Sequence, residues 1–180
     1  EASNVSWFTY GGAPGLRMTT RAVTPSGAEP LITTITQTLH VEFDREYRST
    51  FPRPQDADHW FDTPLSPDVL TGILTATRTY DLALDDALTS GVVQVRATLH
   101  GGAEQAANPD KSVAIQLNSH ALGTYTWDGL TYHVISTSAP AAWLDGAPNR
   151  ISLIAAISQL PGLDFYSVSP DWVEITYPAL

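Results

Sequence analysis

Short runs with an apolar residue at every second position dominate this chain and leave it little choice of architecture. In residues 92–100, Val93, Val95, Ala97 and Leu99 fall on one side and Gln94, Arg96, Thr98 and His100 on the other. That is the pattern of a strand with one face in a core. The alternation returns at Val113, Ile115 and Leu117, at Ile151, Leu153, Ala155 and Ile157, and at Val173, Ile175 and Tyr177. Strands are expected over 31–43, 70–84, 91–100, 111–117, 121–127, 130–137, 150–158 and 165–177. Their spacing predicts an all-β fold, an antiparallel β-sandwich of two packed sheets. Only 139–144 reads as a helical turn, opened by Pro140 and stopped by Asp145-Gly146.

The remaining stretches read as loops. Residues 4–10 are apolar and aromatic and run into the breaker Gly11-Gly12-Ala13-Pro14-Gly15, so a strand and then a turn are expected there. Residues 24–30 form a Pro/Gly/Ser loop. Between 51 and 68, Pro52, Pro54, Pro64 and Pro67 surround His59-Trp60-Phe61. Four prolines oppose continuous pairing, which predicts a long ordered excursion over one end of the sandwich.

A chain of 180 residues with 43% hydrophobic and 16% charged residues suits one soluble domain, too apolar for disorder and too interrupted for a membrane span. We therefore expect a single domain over 1–180. The formal charge of −10 opposes a nucleic-acid partner. The absence of cysteine excludes disulfides, thiol nucleophiles and thiolate metal sites within the chain. The opening at Glu1, without initiator methionine, is expected of a piece excised from a longer protein. Low lysine with abundant Thr, Ser, Gly and Pro suits an exported, extracellular β-domain.

The strings NVSWFTYGGAPGLRM and TLHVEFDREYRSTFPRPQDADHWFD resemble the β-rich region that precedes the catalytic domain in gingipain-like cysteine peptidases of family C25. Farther on, VAIQLNSHALGTYTWDG, LDGAPNRISLIA and FYSVSPDWVEITYP are similar to the second half of galactose-binding-like jelly rolls. Asn118-Ser119 stands where such jelly rolls usually carry Asn-Gly. The resemblance implies a jelly-roll accessory domain of an exported bacterial peptidase or surface protein. It also implies that catalysis resides elsewhere, in a His/Cys pair of an adjoining domain.

Candidate chemistry is sparse. A serine hydrolase remains an alternative, but no G-x-S-x-G elbow occurs. His40, Glu42 and Asp44 share one strand face and make a three-ligand patch conceivable, against the plainer reading of a solvated polar face. For calcium, Asp81, Asp85 and Asp86, or Asp56, Asp58 and Asp62, offer carboxylates; neither set has D-x-D-x-D-G spacing, and turn caps explain them as well. For a glycan, Trp60, Trp127, Tyr132 and Trp143 are the candidate ligand-binding aromatics, each also suited to anchoring a core or loop. Trp172 should lie outside with Glu174 and Thr176, where a neighbouring domain would pack.

Three functions are therefore expected in order: a non-catalytic domain that packs against an adjoining peptidase domain, a carbohydrate-binding module, and an independent hydrolase.

Overall fold

Strand β5 (Val92–Gly101) sets the frame. Val93, Val95, Ala97 and Leu99 are fully buried, as the alternation predicts. The computed structural model describes residues 33–52, 58–144 and 148–180; the expected strand at 4–10, the turn after it and the loop at 24–30 lie outside them.

Eight principal strands make two antiparallel sheets. In one, β1 (Ile35–Glu42), β10 (Val168–Ala179), β5 and β8 (Tyr132–Pro140) lie side by side in that order. In the other the order is β4 (Thr75–Leu82), β9 (Asn149–Ala156), β6 (Lys111–Leu117) and β7 (His120–Trp127). Along the chain, these strands change sheet at every connection except the β6–β7 hairpin. This alternation of eight strands is the jelly-roll arrangement. The sheets meet in one core, with Val95, Leu99, Val173 and Ile175 on one side and Ile115, Leu117, Ile151 and Leu153 on the other. Partly buried side chains such as Leu39, Val41, Leu122 and Ile157 pack against that core from its margins.

The expected helical turn is a single 3-10 turn at Ala141–Trp143. The expected strand over 70–84 is shorter, because Asp68 to Ile73 is used for a tight turn closed by Asp68 N–H donating to Ile73 O at 2.7 Å.

The 51–68 excursion is ordered where described. Its residues Trp60–Phe61 form β3, which pairs with β2 (Glu46–Tyr47) as a small ribbon. Phe51 stacks on His100 at 4.2 Å between ring centroids, and Phe61 meets the same ring edge-on at 5.9 Å. The excursion thereby covers the outer side of β5 at its end. Thr98 and His100, polar positions expected to face water, are fully buried.

Asn118 explains the Asn-Ser hairpin. It adopts φ +54°, a left-handed conformation that Asn tolerates better than most residues. Its backbone N–H donates to Arg150 O, its side-chain oxygen accepts Arg150 N–H, and its amide donates to Trp143 O and Asn149 Oδ1. One side chain thus ties the β6–β7 turn to the start of β9 and to the 3-10 turn.

The opposite end is fastened by an ion pair. Lys111 Nζ lies 2.7 Å from Asp110 Oδ2, with both side chains fully buried. Asp110 also accepts Gly129 N–H at 2.9 Å and Gln105 N–H at 2.8 Å, joining the β5–β6 connection to the β7–β8 turn. Gly101 permits this closure, since a Cβ there would sit 2.1 Å from Gly129 O. Burial alone would raise the Asp110 pKa, but Lys111 and the two N–H donors outweigh it and hold the carboxyl below its ordinary 3.8. A depressed carboxylate contributes stability above its unfolded pKa and loses it as pH falls through the folded value. Asp110→Asn should therefore cost about 3 kcal/mol at neutral pH by leaving a buried ammonium unpaired. The gap to the wild type should narrow below about pH 4 in urea-unfolding curves taken across pH 7 to 2.

Candidate functional site

The four candidate aromatics do not converge. Trp127, at the end of β7, is 8% exposed and stacks on His133 at 4.7 Å, so its faces are already occupied. Of the two roles its sequence position suits, the ring fills that of core anchor in this structure. Trp143 is half-buried and stacked on His120 at 4.5 Å. Tyr132 and Trp60 are more open, at 41% and 43%. The Tyr132 hydroxyl donates to Asp171 Oδ2 at 2.9 Å, while Trp60 packs on Tyr47 at 5.3 Å. Tyr132 opens β8, and Trp143 lies in the 3-10 turn beyond its other end, Pro140, which strand rise places roughly 27 Å from Tyr132.

The proposed metal set of Asp81, Asp85 and Asp86 is likewise not assembled. Asp81 sits on β4 and pairs with Arg150 Nε at 2.7 Å. Asp86 occupies a turn at φ +49°. Among the described residues, the acidic groups close enough to share an ion are instead Glu42, Asp44 and Asp58, whose carboxylate oxygens lie within 4.8 Å of one another. Asp58 reaches β1 because the β2–β3 ribbon folds back on it, a tertiary effect that residue spacing does not signal. All three are exposed, and Asp58 Oδ1 already accepts Trp60 N–H at 3.0 Å. Asp56 lies outside the described residues.

His40 faces outward beside this group, as the strand pattern predicts. It lies 3.2 Å from Glu42 and 3.7 Å from Glu174, and its ring stands 5.1 Å from that of Trp172. Arg96 covers the Trp172 ring at 5.4 Å and reaches Glu174 at 3.5 Å. Trp172, Glu174 and Thr176 do share the outer face, where Trp172 is embedded in a band of mutually satisfied charges.

Asp62 is fully buried. Its Oδ1 accepts Arg45 Nη1 at 2.6 Å and Thr63 N–H at 2.7 Å. Its Oδ2 accepts the Tyr80 hydroxyl at 3.1 Å and lies 3.3 Å from Arg78 Nε. Burial, reinforced by the Asp62 charge, drives the Tyr80 phenol far above its ordinary range. Tyr166, another buried phenol, is pushed up to about 12 by burial while donating to Ala156 O. Asp62 is thus a structural counter-ion that pins the excursion to β4, and it is not available to calcium.

A cleft of about 270 Å³ opens beside the β6–β7 turn, lined by Asn118, Ser119, Pro148, Arg150 and Ser152. Arg150 and Ser152 were not singled out by sequence because a lone Arg and Ser on a strand carry no motif. The Trp143 backbone borders this region through its contact with Asn118.

Fold and site together define an antiparallel jelly-roll sandwich whose described polar groups are largely committed to internal pairs. No protein-family model matches the chain, and no curated protein does. Among solved structures, dimeric latent PorU from Porphyromonas gingivalis shares the fold with a TM-score of 0.53 and 14% identity, over 86% of this chain and 14% of that one. The chain therefore spans a small part of PorU's length. The CBM36-1 domain of a multidomain xylanase from the hindgut metagenome of Trinervitermes trinervoides is also similar, with a TM-score of 0.40 and 9% identity over 78% of this chain and 96% of that one.

Asp62→Ala should destabilise the domain by about 2–3 kcal/mol, less than for a fully enclosed triad because Arg45 and Arg78 reach water. Chemical denaturation measures it. Asp81→Ala, which removes an exposed pair, should cost under about 1 kcal/mol in the same assay.

Proposed function

We propose that the chain is a non-catalytic accessory domain of an exported, gingipain-like peptidase or surface protein, and that it packs against and positions an adjoining domain. The observation that supports it best is where the perturbed titratable groups lie. Strongly shifted groups mark catalytic sites when they open into a cleft. Here the strongly shifted phenols, Tyr80 and Tyr166, are buried and bonded to Asp62 and to Ala156 O. Likeness of fold to a 14% portion of PorU fits a module within a longer chain, as an analogy of architecture. The test compares the adjoining catalytic domain made with and without this domain. Loss of thermal stability or of peptidase activity on deletion is expected; a catalytic domain indifferent to the deletion in both respects would remove the reading.

A carbohydrate-binding role is the second reading, favoured by the polar cleft lined by Asn118, Ser119, Arg150 and Ser152, to which the Trp143 backbone is joined through the Asn118 amide. Guanidinium and hydroxyl groups held in a cleft suit sugar hydroxyls. A glycan array run with calcium and with EDTA should then give a hit that weakens about tenfold or more in Arg150→Ala and Trp143→Ala. A hit unaffected by both would move the site elsewhere, and a blank array leaves the packing role alone.

A further inference from the structure

One end of the sandwich carries an exposed aliphatic knuckle. Val69, Leu70, Ile73 and Leu74 are 43%, 92%, 50% and 56% exposed, four large apolar side chains within six residues. The turn that presents them is braced. Asp68 Oδ1 accepts Leu70 N–H at 2.8 Å, Val69 O accepts Gly72 N–H at 3.2 Å, and Gly72 takes φ +75° at the tip. A second loop lies against it: Val69 N–H donates to Asp164 O at 2.8 Å, and Ile157 N–H to Leu74 O at 3.0 Å. That loop adds half-buried Leu163 and Phe165.

Contiguous apolar surface of this kind marks interaction sites, and a braced convex tip loses little freedom on entering a partner. Charge selects the partner. Within 64–74 and 157–165 the charged residues are Asp68 and Asp164, with no Lys or Arg. These two loops offer an anionic lipid surface no cation, and the whole chain carries −10. A second copy packed through the same patch about a two-fold axis would set carboxylate against carboxylate. The complementary surface is an apolar pocket with basic residues at its rim.

The geometry points to the Val69–Leu74 turn, flanked by Leu163 and Phe165, as a plug that seats in an apolar, basic-rimmed pocket on the adjoining domain. This rests on the accessory-domain reading and adds to it the contact surface and the partner's chemistry.

The test uses the longer parent protein made intact, with a photo-crosslinking phenylalanine analogue placed at position 70. A second version carries it at position 138, on the exposed side of β8 far from the knuckle. The expected result is a crosslink from position 70 to a part of the same polypeptide outside residues 1–180, with yield reduced about tenfold or more by Ile73→Asp; a crosslink confined to residues 1–180 overturns the proposal. An unchanged melting temperature shows that this variant is folded; if it is not, Val69→Ser makes the same comparison. Crosslinks from position 70 to lipid or to a second copy overturn the proposal. A crosslink from position 138 with none from 70 overturns it too, while leaving the accessory-domain reading intact. Silence at both positions removes the plug and, with an unaffected deletion phenotype, the accessory role.

Discussion

Two-sided burial of the central strands is the constraint on which the rest of the molecule depends. β5 and β10 are flanked by neighbours on both edges, so their backbone groups are paired, and their inner side chains fill the core. At one end of β5 the outward side chain of His100 is covered as well, by Phe51 and Phe61. A sheet face closed in this way needs the excursion to stay in place, and the buried Asp62 holds it there through Arg45, Arg78 and Tyr80. Desolvating one carboxylate is costly, and two guanidinium groups with a phenol and an amide offset that cost.

Much of this was legible in sequence because period-two alternation reports directly on a half-buried strand. Val93 to Leu99, Val113 to Leu117 and Val173 to Tyr177 all face the core as their spacing demands. The pattern misled where burial has a second source. Thr98 and His100 alternate as solvent positions yet lie under a loop, and periodicity within one strand carries no information about what a distant segment lays over it. Residues 70–73 read as the start of the strand expected over 70–84 for a related reason: Leu70 and Ile73 are aliphatic, and local hydrogen bonding is what folds them into a turn.

The candidate sites were less legible than the fold. Aromatic identity does not reveal exposure: Trp127 and Trp60 read alike in sequence, but one closes a core edge and the other packs on a surface ribbon. Carboxylates near in sequence, such as Asp81, Asp85 and Asp86, are spread by strand and turn geometry, whereas Glu42 and Asp58 are brought together by a fold-back. Asp62 and the Asp110–Lys111 pair turn their polar chemistry inward, while among the described residues the cleft beside Arg150, the acidic group at Glu42 and the aliphatic tip at Leu70 face outward.

The buried pair at Asp110 and Lys111 has one more consequence. Lys111 is the only lysine in the chain, and it has no solvent exposure. Every other cationic side chain is an arginine or a histidine. The folded domain therefore offers no side-chain amine to acylating reagents and no substrate bond to a lysine-specific endopeptidase. Acylation of Lys111 requires the end of the sandwich to open, so the rate of that reaction is a built-in clock for local unfolding.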